Sequence, residues 1–345
     1  MGAPLNERSQ NILEAIVEDY IHTAEPVGSR AITKRHAFDL SPATVRNVMA
    51  DLEEMGFLAS PHTSAGRIPT DKGYQYYVES LLKVRDLPEE FRTNLEDNSR
   101  FAGKNMEDIM QEVGNLLSGI SNYTGLVMAP RFNSTIFRQI EFVRLSQGRL
   151  LVIFVSESGL VQNKVIAPGI DFSQRELESI TNYLNHRLPG MTITQVRERI
   201  AVELREEKTR LNKLQKQAFE LSDKALQGDI AEQVYVAGTS RMLEQPDFTS
   251  HDSMMKIMRT LESKQQLIEL LDSSQSASGV QIFIGSQASA SKIEGCSLIT
   301  APFSGNNGAV GTLGVIGPVR MNYSQVIPIV DFTASLVGRL LDRES

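Results

Sequence analysis

Cysteine is nearly absent: Cys296 stands alone in 345 residues. A disulfide scaffold and a cysteine-based zinc site are both excluded, and a small core residue is what remains for it. The five histidines, His22, His36, His62, His186 and His251, are scattered, with no pair at metal-ligand spacing. Long apolar runs are missing too. The longest, Leu150 to Val155, is far shorter than a membrane span, and Glu14 interrupts the first apolar cluster, Ile12 to Val17. The expectation is a cytoplasmic protein with no membrane partner. No Ser/His/Asp set, paired-carboxylate motif or metal constellation stands out, so nothing argues for an enzyme or a cofactor. Basic excess is the last absence. A formal charge of −7 argues at face value against nucleic acid as a partner.

What is present is an ordinary folded composition, 41% hydrophobic and 22% charged, on a chain long enough for two or three domains. The expected class is α+β, multidomain. Residues 1–84 are helix-rich with turn punctuation, and 85–104 form a polar linker. Residues 105–196 and 273–345 mix helix and strand, whereas 197–272 look wholly helical and charged, as an insertion would. Strand candidates are Thr124 to Met128, Ile136 to Leu145, Leu150 to Val155, Val161 to Ile166, Val280 to Gly285, Ser297 to Pro302 and Gly308 to Ile316. A closing helix carries Val326, Ile329, Val330, Thr333, Leu336, Val337 and Leu340 on one stripe.

The N-terminal unit is the informative one. Ile12, Ile16, Val17 and Tyr20 define a first amphipathic helix ending before Pro26. Ser29 stands where an N-cap belongs, ahead of a short second helix. Ser41 as N-cap, with Pro42 at the first helical position, starts a third helix that runs to about Met55 and stops at Gly56, because proline lacks the amide that would be orphaned there. Val45, Val48, Met49, Leu52 and Met55 face the core, leaving Ala43, Thr44, Arg46, Asn47 and Ala50 outward. Phe57 to Ser60 and Arg67 to Pro69 read as strands around a tip, and Thr70 caps a fourth helix bearing Tyr74 and Tyr77. Three helices and a hairpin make a winged helix-turn-helix.

The leading half of the third helix, Ser41 to Ala50, carries no acid, and Arg46 and Asn47 have donors suited to base edges. With Thr44 they are the candidates for reading sequence. Ser29, Arg30, Lys34 and Arg35 fall where phosphates are met, and Arg67 is expected to project from the wing. The capping Ser41 and the wing-tip residues His62, Thr63, Ser64 and Gly66 complete the candidate DNA-contacting set; for His62 plain exposure is the alternative.

Glu25 to Arg30, Leu40 to Glu53 and His62 to Thr70 closely resemble the HrcA family of heat-inducible transcription repressors. The run Gly305 to Pro318 resembles that family's glycine-rich strand pair; its spacing fits no phosphate loop, so close backbone packing is expected. The resemblance implies a dimeric repressor on the inverted-repeat CIRCE operator of chaperone operons of the groE and dnaK type, modulated by the chaperonin GroEL. It also implies a GAF-like antiparallel α/β domain and a helical dimerisation domain inserted into it. Leu204, Leu211, Leu214 and Leu221 form a near-heptad stripe in that insertion, suited either to a dimer contact or to packing within one chain. A metabolite-sensing GAF-like part, or an enzyme with a regulatory winged-helix unit, are the competing readings.

Overall fold

The computed structural model describes residues 5–36, 38, 40–61, 66–84, 86–96, 101, 104–130, 136–145, 148–157, 161–206, 213–226, 233–248, 250–275, 277, 279–285, 295–305 and 310–343. Its first 81 residues hold helices α1 (Glu7–Thr23), α2 (Ser29–Arg35) and α3 (Pro42–Glu54), a hairpin of β1 (Leu58–Ala59) and β2 (Ile68–Pro69), and α4 (Asp71–Tyr76), which continues as a π-helical turn through Leu81. Local chemistry sets most of the ends. The Asn6 side chain accepts from Ser9 N to start α1, and the Thr70 hydroxyl accepts from Gly73 N to start α4. Ile12, Leu13, Ile16, Val17, Ile32, Val45, Met49 and Leu52 form the core between the first three helices.

A short helix α5 (Glu89–Glu96) follows, then α6 (Met106–Ser121) and a five-stranded antiparallel sheet. Its strands are β3 (Thr124–Met128), β7 (Val234–Ala237), β8 (Gln281–Ile284), β9 (Cys296–Ser304) and β10 (Val310–Pro318), laid side by side as β7-β3-β10-β9-β8. Both faces are covered. Helices α6 and α13 (Tyr323–Arg343) pack on one, burying Val127, Ile299, Leu313 and Val315. On the other, α10 (Thr239–Leu243), α11 (His251–Glu262) and α12 (Lys264–Gln275) enclose Leu126, Met128, Leu298 and Ile316. Cys296 is buried there, and desolvation pushes its thiol up to about 12. By length and composition α13 could cross a membrane, yet its predicted stripe, Val326 to Leu340, lies buried in the core.

Within the glycine-rich run, Val310 to Pro318 is strand. Side chains at Gly311 and Gly314 would strike the Phe303 ring and the Ile299 carbonyl, so these glycines let β9 and β10 approach.

The remaining strands are elsewhere. β4 (Phe137–Arg144), β5 (Leu150–Ser156) and β6 (Val161–Ile166) form a separate antiparallel sheet, backed by α7 (Gln174–Arg187), α8 (Ile193–Glu206) and α9 (Lys213–Leu226). This corrects the expected organisation in two ways. The strands within 105–196 do not all join one sheet, and 197–272 is not wholly helical, because β7 lies within it and pairs with β3. Period-two apolar patterning marks a segment as strand but is silent about its neighbour. The segment looped out of the large sheet is therefore 137–226, and it carries three strands of its own.

Inside that small unit Ile140, Phe142, Val152 and Phe154 pack against Leu177, Ile180 and Leu184. The opposite face of its sheet is largely apolar, with Gln139, Glu141 and Asn163 as its polar members. Val143, Leu151 and Val165 stand in register, as do Val155 and Val161, and Ile153 lies between. Val161 is 56% exposed, Val165 51% and Val143 42%.

Candidate nucleic-acid interface

Helix α3 is built to be presented. The Ser41 hydroxyl accepts from Thr44 N at 3.1 Å and contacts Thr44 Oγ1 at 3.0 Å, with Pro42 following as the first helical residue. At the other end Gly56 adopts φ +79°, its amide donates to Glu53 O, and the Phe57 amide reaches back to Leu52 O, both at 2.9 Å. That paired closure requires a left-handed residue, and glycine supplies it without a side-chain clash. Val45, Val48, Met49 and Leu52 are buried, so Ala43, Arg46, Asn47 and Ala50 are turned outward on one exposed surface, with Thr44 at its edge. Met55, expected in the core, is 40% exposed, because it caps the helix and so falls beyond the buried stripe.

Helix α2 packs on α3 and exposes Arg30, Lys34 and Arg35 beside it. Its N-cap is Gly28 rather than Ser29, which is the first helical residue, so Ser29 makes no cap. Arg35 carries an ion pair to Asp19 of α1 at 3.0 Å, and His36 shares the same carboxylate at 3.3 Å. Half of the Arg35 side chain is still open to solvent.

The wing departs furthest from expectation. Arg67 does not project. Its backbone exchanges two 2.9 Å hydrogen bonds with Val27, which makes the segment before α2 a third member of the hairpin. The side chain folds back onto α3, with Nη2 2.8 Å from Glu53 Oε2 and Nη1 donating to Ser60 Oγ at 3.3 Å. With Nη2 and Nη1 engaged within the chain, the side chain lies along α3 rather than outward, while its buried Nε has no hydrogen-bond partner. Gly66 is structural, since a Cβ would sit 2.4 Å from the Val27 carbonyl. Gly66→Ala is expected to cost about 1–3 kcal/mol, the usual penalty for forcing extra atoms into packed structure. Thermal unfolding of the variant checks this, and an unchanged midpoint would mean that the wing relaxes freely. His62, Thr63 and Ser64 lie outside the described residues.

Three participants escaped the sequence reading: Val27, Asp19 and Glu53. Each acts through a partner distant in the chain, and only Val27, an apolar residue alone between Pro26 and Gly28, left a local signal. Of the proposed dimer stripe, Leu221 is 1% exposed in the core that α9 makes with α7 and α8, so it is not available to another chain. Leu204 and Leu214 lie in α8 and α9, and Leu211 falls outside the described residues. Tyr74 and Tyr77 are buried, Tyr74 against Tyr323 of α13, as packing residues rather than stacking platforms.

Comparison with known proteins agrees with this geometry. Residues 4–81 match the family described as "Winged helix-turn-helix transcription repressor, HrcA DNA-binding", and residues 107–327 match "HrcA protein C terminal domain". A protein of Geobacter sulfurreducens named Heat-inducible transcription repressor HrcA is 52% identical over 340 residues, 99% of each chain. Relatives of the same name from Syntrophobacter fumaroxidans and Methylobacillus flagellatus are 39% and 40% identical, over 98% of each chain. A crystal structure described as a hypothetical protein shares the fold, with a TM-score of 0.64 at 21% identity over 99% of this chain and 100% of that one. The chain belongs to the HrcA family of heat-inducible transcription repressors, and its N-terminal unit is that family's winged-helix DNA-binding domain.

Proposed function

We propose that the protein represses chaperone operons of the groE and dnaK type by binding, as a homodimer, an inverted-repeat operator of the CIRCE type. The observation that carries this reading is the exposed, acid-free leading half of α3, bearing Arg46 and Asn47. Arg30 and Lys34 of α2 hold the flanking phosphates, and Arg46, Asn47 and Thr44 read base edges. The five-stranded sheet with helices on both faces supports a GAF-like core. Counted along the chain, its strands run second, first, fifth, fourth, third. The unit at 137–226 is the dimerising insertion, and the apolar outer face of its sheet is the surface that supports a second copy.

Footprinting on the protein's own genomic DNA tests the reading. One protected inverted repeat upstream of a chaperone operon is expected; protection of unrepeated sequence, or of none, overturns it. The relatives' names describe heat-inducible repressors, and the family resemblance implies that GroEL restores the active form. DNA binding is therefore expected to be lost on mild heating and to return faster with GroEL present. Recovery at the same rate without the chaperonin would remove that coupling from the mechanism.

A further inference from the structure

Arg320 follows β10 and is 9% exposed, the one charged residue among the buried polar residues described. Its Nε–H is shared between the two carboxylate oxygens of Asp247, at 2.7 and 3.0 Å. Nη2 donates to Gln245 Oε1 at 3.4 Å, and Nη1 crosses to the winged-helix unit and donates to Ile21 O at 3.1 Å. Ile21 lies in the last turn of α1, where carbonyls lose their partners as the helix ends and the helix dipole is negative. A cation from the core thus completes the end of a DNA-domain helix 299 positions away in sequence.

The seam around this contact is close-fitting. The Tyr74 and Tyr323 rings meet across it at 6.1 Å. At its far edge the Asp71 carboxylate of α4 lies against Gly285, where an added Cβ would fall 2.2 Å from Oδ2. Taking a charge pair out of water costs about as much as its attraction returns, so a clasp of this kind contributes little net stability. What it contributes is a single arrangement. The planar guanidinium, with donors pointing in fixed directions, satisfies three groups from two units at once, which a lysine ammonium cannot reproduce.

We propose that Arg320 is a positioning residue for DNA binding: its clasp on Ile21, Gln245 and Asp247 fixes the angle at which the core presents the winged-helix unit. Helix α1 packs directly on α3, so an α1 held at one angle holds the recognition helix at one angle. The inference rests on the dimeric reading given above, because a fixed angle matters most when two recognition helices must meet two half-sites together.

Arg320→Lys and Asp247→Asn test it on the full-length protein, each titrated with a complete inverted repeat and with a single half-site. Affinity for the complete repeat is expected to fall about tenfold or more as simultaneous engagement is lost, while half-site affinity stays unchanged. A parallel fall on both DNAs, or no fall on either, overturns the proposal. A second readout is independent of dimerisation. Spin labels at Asn11→Cys in α1 and Gln265→Cys in α12, both exposed positions, report the distance between the two units, and the buried Cys296 escapes labelling. The distribution is expected to be narrow in the parent and broad in both variants; an unchanged width overturns the proposal. If the unsubstituted protein prefers the complete repeat no more than a half-site, it is the dimeric reading that fails. The label distances then decide the role of Arg320 alone.

Discussion

Replacing Arg46 or Asn47 with alanine should erase most of the discrimination between the operator and unrelated DNA. A well-placed bidentate contact to a base edge is worth about 1–3 kcal/mol, so each replacement is expected to cost about 5–150-fold in specific affinity. Binding to scrambled sequence should change far less, since that binding rests on phosphates. Lys34→Ala is the informative contrast. It should weaken both DNAs alike and reduce the slope of affinity against salt by about one counterion. Titrations of operator and scrambled duplex at matched salt separate the two behaviours. If both α3 variants kept the parent's preference, the reading helix would have to be sought elsewhere.

Placing charge on the outer face of the small sheet is expected to turn the proposed dimer into a monomer. Val161→Glu together with Val165→Glu puts two carboxylates where the sheet otherwise presents valine to solvent at 56% and 51% exposure. Neither side chain fills the interior, so the fold of the single chain should persist. Two carboxylates facing their symmetry mates across an apolar contact would repel and lose hydration, which self-association cannot offset. Operator affinity is expected to drop by about 10²–10⁴-fold, the usual gain from linking two sites, with no DNA-facing atom altered. Sedimentation measures the assembly, and a variant that remains dimeric would move the interface away from this face.

Much of this was legible in the sequence because it is written in neighbouring residues. The start of α3 is Ser41 bonded to Thr44, and its stop is Gly56 with a positive φ; both are local chemistry, and both were placed within a residue. β3 and β6 were bounded as observed, because alternation and turn residues are local as well. The strand Val234–Ala237 went unseen: four residues in a helical neighbourhood carry too little periodicity. Arg67 was assigned to DNA because an arginine near a wing tip invites that reading. Glu53, which claims it, is fourteen positions back and approaches only through the fold. Charge shows the same division. Residues 1–85 hold 9 basic and 11 acidic side chains, so the sum argued against DNA, yet the acids of α3 lie on its distal half and one of them, Glu53, is neutralised by Arg67.

The order of strands in the large sheet bears on how the chain comes together. β10, the last strand in sequence, is the middle one in space, hydrogen-bonded to β3 on one side and β9 on the other. The winged-helix unit draws most of its core from the first 81 residues, although Ile21 and Tyr74 also meet Arg320 and Tyr323 near the other end of the chain. The sheet cannot close without that end: β3 emerges early and keeps one long edge unpaired until Val310–Pro318 has been made and inserted. Pairing across such separations pays its chain entropy before any contact rewards it, which slows closure and leaves apolar edges open meanwhile. In a regulator assembled this way the large sheet closes only with its last strand, and the clasp that holds the DNA-reading end, at Arg320, comes directly after that strand.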